Sequence, residues 1–130
     1  SACLLVSPRD NEDLPLKLAE VLAEAAEMKN CLFVFSIDFS HYLTPQEADI
    51  HDGETLEAVL SGDTATIERM TDDNVDSPYC LSTYVRLTEM LDGEITAADN
   101  SNTAKVREIP YSGSLFPEGV TSYFVYISSK

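Results

Sequence analysis

The segment Cys31–Tyr42 restricts the fold more than any other stretch of the chain. It starts as an unbroken apolar run, Cys31-Leu32-Phe33-Val34-Phe35, and ends as Asp38-Phe39-Ser40-His41-Tyr42. A run of this kind predicts a strand buried on both faces over Cys31–Ile37. Such a strand brings polar side chains to its carboxyl end, which is where open α/β sheets bind ligands. On residue types alone, Asp38 and His41 also fit a plainer role, with Asp38 satisfying a turn and His41 half exposed.

The neighbouring patterns extend this into an α/β order. Ala2–Ser7 reads as a short buried strand. A helix follows, with Pro15 in its first turn and Leu14, Leu18, Val21, Leu22 and Ala25 at helical spacing. Strand, helix, strand implies a right-handed parallel crossover. Thr44-Pro45-Gln46-Glu47 is a capping box that opens a helix from Pro45 to Leu60, closed by Ser61-Gly62. Asp63 caps a shorter helix through Ile67 and Met70, and Ser77-Pro78 starts another whose stripe is Leu81, Tyr84, Val85, Thr88 and Leu91. Ile95–Ala98 reads as a strand, 99–118 as turn-rich chain, and Thr121–Ile127 as the last strand. The expectation is one domain over residues 1–130. It is a three-layer α/β fold with a mostly parallel sheet of about four strands and helices on both faces.

The chain carries 23 acidic against 8 basic residues, a net charge of −15. A field of that sign repels nucleic acid and anionic lipid, so neither is expected as a partner. No apolar run approaches the roughly 18 residues of a membrane span. Cys3, Cys31 and Cys80 are far apart and form no CxxC pair. That favours a reducing, cytoplasmic setting, with Cys3 and Cys31 structural.

Cys80 falls at the third position of the helix begun by Pro78. There the free N–H groups and the helix dipole favour a thiolate, which makes it a soft metal ligand or a nucleophile. A small apolar filler is the other reading of the same residue. His51 reads as a surface or half-buried helix residue. Tyr42 and Tyr84 read either as pocket lining or as core edge.

Ser36-Ile37-Asp38-Phe39-Ser40-His41-Tyr42 resembles the motif that follows a central strand in Memo-like proteins, a family that includes AmmeMemoRadiSam system protein B. The segment Thr55-Leu56-Glu57-Ala58-Val59 and the helix-start Cys80 extend the resemblance along the C-terminal half of that family. Further on, Asp99–Asn102 and Val120–Tyr123 are the counterparts of the family's later turn and last strand. The resemblance implies a fold similar to the extradiol dioxygenases, with His41 and Cys80 as ligands in a metal pocket and Asp38 beside them as orienting group or base. Imidazole with thiolate suits iron, with copper or zinc as alternatives. The family's pocket also draws histidines from an N-terminal half with no counterpart here. This implies pairing with such a half, or self-association, and a functional link to a radical SAM protein and an AMMECR-type protein. The implied activity is a metal-dependent oxidoreductase. A non-catalytic binding or scaffold domain with a vestigial pocket, and a Cys–His hydrolase with Cys80 as nucleophile and His41 as base, stand as alternatives.

Overall fold

Local signals set most of the helices. The computed structural model describes residues 11–28, 30–108 and 119–129. Helix α1 spans Leu14–Met28 and turns Pro15 and Ala19 inward, leaving Val21 out in solvent. Helix α2, Pro45–Ser61, has the predicted capping box. The Thr44 hydroxyl accepts from the Glu47 N–H, and the Glu47 carboxylate accepts from the Thr44 N–H at 3.1 Å. Gly62 closes it in the left-handed conformation, φ 71°, which glycine adopts without strain. Asp63 caps α3, Thr64–Ile67. Helix α4, Pro78–Met90, starts on Pro78 as predicted, but Ser77 makes no side-chain capping bond.

The sheet differs from the expected one. Its described strands are β1 (His41–Leu43), β2 (Glu94–Asn102) and β3 (Val120–Ser129), in the order β1-β3-β2 with both pairings antiparallel. The predicted Ala2–Ser7 strand, and with it the parallel crossover, lies outside the described residues. A short α5, Thr103–Val106, follows β2. Residues 31–38 belong to no ladder among the described residues. Their side chains nonetheless alternate: Phe33, Phe35 and Ile37 are half-buried, whereas Leu32 is 88% and Val34 80% exposed. The segment therefore has one covered face, not the two that its continuous hydrophobicity predicted.

The core explains this one-sidedness. Phe39, Val59, Ile67, Val75, Leu81 and Val85 form the main cluster, with Ile37, Tyr84, Ile95, Phe124 and Tyr126 packed against it. Helices α2 and α4 both contact the sheet, and α1 packs on α4. On β3, Phe124 and Tyr126 face this cluster, while Tyr123, Val125 and Ile127 are half or more exposed. Among the described residues the helices thus cover one sheet face, not both. A smaller cluster of Ala48, Ala104 and Val120, with Leu43, ties α2 and α5 to the sheet.

A polar seam joins α2 to β2. The Asn100 side chain donates to Asp52 at 3.3 Å and the Asn102 side chain to Asp49 at 3.3 Å, while Asn102 Oδ1 accepts from the Ala104 and Lys105 N–H groups. Asp52 is only 3% exposed. Burial, and then the Asp52 charge, push the Tyr126 hydroxyl up from its ordinary range.

Candidate functional site

The chain leaves the half-covered segment 31–38, bends at Ser40 and enters β1, so Asp38 and His41 flank a turn in direction. An isolated antiparallel bridge, Phe39 to Val75, fastens this bend to the loop before α4. The Asp38 N–H donates to Asp76 Oδ1 at 3.2 Å, and the Asp76 N–H donates to the Asp38 carbonyl at 3.0 Å. The Asp76 carboxylate is thereby fixed on the Asp38 backbone just before α4.

His41 is half-buried, and its Nδ1 lies 3.2 Å from the Phe39 carbonyl oxygen. A carbonyl oxygen only accepts, so Nδ1 carries the hydrogen. The neutral ring then presents Nε2 with its lone pair free, the tautomer suited to a ligand or a base. The Tyr42 ring stands edge-on to the imidazole, centroids 4.9 Å apart at 67°.

Cys80 is at the third position of α4, as the Pro78 start predicted, but its electrostatics are the reverse of the expected ones. Burial, and then the Asp76 carboxylate, push its thiol from 9.0 up to about 11. The helix N-terminus does not overcome a low-dielectric setting with a like charge beside it, so Cys80 is a thiol near neutral pH.

Asp76 is a residue that no sequence pattern singles out. Burial raises its pKa first and the Asp38 charge adds to the rise, while the Asp38 N–H and the His41 ring pull it down. The Asp38 and His41 charges act on this carboxylate and it acts in turn on the Cys80 thiol, but of the three only Asp38 is hydrogen-bonded to it. The only signal in the sequence was an acidic residue just before Ser77-Pro78, a position where acids are ordinary.

The candidate donors are the His41 imidazole, the Cys80 sulfur and the Asp38 and Asp76 carboxylates. Among the described residues no group of three or more His, Cys, Asp or Glu side chains is placed to hold a metal ion. By themselves these residues do not make a metal site, because a stable zinc or iron centre takes three or more protein ligands. His51 plays no part: it sits on α2 with Nδ1 3.1 Å from Glu54. Cys31, expected to be structural, is exposed, with its sulfur 3.6 Å from the Ala25 carbonyl. No helix of the described residues is long and apolar enough to cross a membrane. Comparison with protein-family models, with curated proteins and with solved structures gives no match to this chain.

Proposed function

We propose that this chain is a Memo-like module in which His41 and Cys80, with Asp38, form part of a pocket for metal-dependent oxidative chemistry. Iron is the first choice of metal, with copper or zinc as alternatives. The observation that supports this reading is the pair of hydrogen bonds that ties Asp38, three residues before His41, to Asp76, four residues before Cys80. In this reading the remaining ligands come from outside the described residues, as does the parallel part of a three-layer, dioxygenase-like sheet. Residues 31–38 then supply the interior strand. Pairing with a covering half or a second copy belongs to the same proposal, supported by the exposed Leu32, Val34, Val125 and Ile127. So do a cytoplasmic location and a link to radical SAM and AMMECR-type proteins.

Within that pocket the chain's own residues have definite tasks. The Phe39 carbonyl holds the His41 tautomer, and Asp38 and Asp76 supply a local negative field. Metal content of the purified protein, measured beside a His41→Ala, Cys80→Ala double variant, tests the proposal. A clear loss of metal in the variant is expected, and equal content in both defeats it. Sedimentation velocity tests the association, and a clean monomer at all concentrations counts against it.

A non-catalytic scaffold domain is the second reading, favoured by the absence of a three-residue metal group among the described residues. The hydrolase reading draws less support, because a nucleophile needs an activated thiol and the Cys80 thiol is pushed up to about 11.

A further inference from the structure

Tyr42 has φ 61°, a left-handed conformation that a bulky side chain rarely adopts. The surroundings hold it there. The register of β1 on β3 shifts between His41 and Leu43, which makes Tyr42 the bulged residue. One residue on, Leu43 packs against Ala48, Ala104 and Val120, and Thr44 begins the capping box. Across from it, Gly119, φ 77°, passes so close that a Cβ there would lie 2.3 Å from the Tyr42 carbonyl carbon.

The path of the chain does not ask for tyrosine, since glycine or asparagine takes this conformation at lower cost. The core does not ask for it either, because the residue is 79% exposed. What the ring does touch is His41, edge-on. Strain kept at a residue beside a reactive group, with no packing reward, calls for a use of the ring itself.

We propose that Tyr42 is a positioning residue: the strained bulge stands its ring against the His41 imidazole, keeping Nδ1–H on the Phe39 carbonyl and Nε2 free. This rests on the reading of His41 as a working group. The bulge sets where the Tyr42 ring can be, and the ring limits how far the imidazole can rotate about its bond to Cβ.

The test is nitrogen-15 NMR of the His41 ring in the full chain, with chelator present, at about pH 8.5, where an ordinary imidazole is neutral. Wild type, Tyr42→Phe and Tyr42→Gly are compared, each with its melting temperature. Wild type and Tyr42→Phe should show Nδ1–H as the dominant form. Tyr42→Gly should raise the Nε2–H fraction at least threefold, with an equal or higher melting temperature because strain is relieved. Unchanged His41 nitrogen shifts in Tyr42→Gly overturn the proposal, whatever happens to stability. Should Tyr42→Gly fail to fold, Tyr42→Asn carries the same measurement. Metal content is read separately, so loss of the wider functional reading is distinguishable from loss of this one.

Discussion

Alkylation of Cys80 offers a quantitative test of the electrostatics around Asp76. Its thiol is raised from 9.0 to about 11, so the thiolate fraction at pH 7.5 falls by about 100-fold relative to a thiol at the ordinary value. A more basic thiolate is also a better nucleophile. With a Brønsted coefficient of about 0.4–0.5 this recovers roughly a factor of ten. The net expectation is alkylation about tenfold slower than that of an unperturbed thiol, before any loss of access from partial burial. Cys31 is exposed and serves as the internal reference. The native protein is treated with iodoacetamide at pH 7.5 with chelator, quenched at intervals and mapped by mass spectrometry, which also resolves Cys3. Cys80 should lag Cys31 by about tenfold or more. Asp76→Asn should speed Cys80 by a smaller factor, because burial and not the carboxylate is the larger cause. If Cys80 reacts as fast as Cys31, the helix N-terminus outweighs burial and the reasoning fails.

Four further outcomes follow from named contacts. Asp76 has a folded pKa above its ordinary value, so its ionised form costs stability above that pKa, and the cost fades as pH falls through it. Asp76→Asn should therefore stabilise the fold near pH 7 by no more than ~1 kcal/mol at so exposed a site, read as a higher melting temperature, with the gain gone below about pH 4. Gly119→Ala, which combines positive φ with a Cβ 2.3 Å from the Tyr42 backbone, should destabilise by about 2 kcal/mol or more in urea unfolding. Ile67→Ala removes a fully buried side chain from the main cluster and should cost about 2–5 kcal/mol, read as a lower urea midpoint at unchanged slope. Thr44→Ala breaks the capping box and should cost about 1 kcal/mol in the same assay.

The legible parts of this chain were those governed by short-range chemistry. The start of α2 shows because Thr44 and Glu47 are three residues apart and satisfy each other. The start of α4 shows because Pro78 suits a first helical turn. Strand β2 was underestimated, since Asp99–Asn102 reads as a turn, yet Asn100 and Asn102 are strand residues. Their side chains are satisfied by Asp52 and Asp49, 48 and 53 positions away. Residues 31–38 looked doubly buried because both faces are apolar, and only the packing shows that Leu32 and Val34 are uncovered. At the site, the nearness of Asp38 and His41 is a matter of three positions. The approach of Asp76 to Asp38 spans 38 and rests on two hydrogen bonds between them and the bridge from Phe39 to Val75. No local pattern encodes that, and the Asp76 charge adds to the burial that keeps Cys80 a thiol.

The gap between residues 31–38 and β3 bears on the site as well. Phe33, Phe35 and Ile37 line one side of a groove of about 280 Å³, and Phe124 and Tyr126 the other, with Leu81 and Tyr84 along it. A neighbouring groove of about 420 Å³ continues past Cys31 toward Ser128. A molecule seated in this groove would rest against the segment that ends at Asp38 and, three residues later, reaches His41. Phe39 lines the same groove, and its carbonyl oxygen is the one that meets His41 Nδ1, so the groove and the imidazole share a residue.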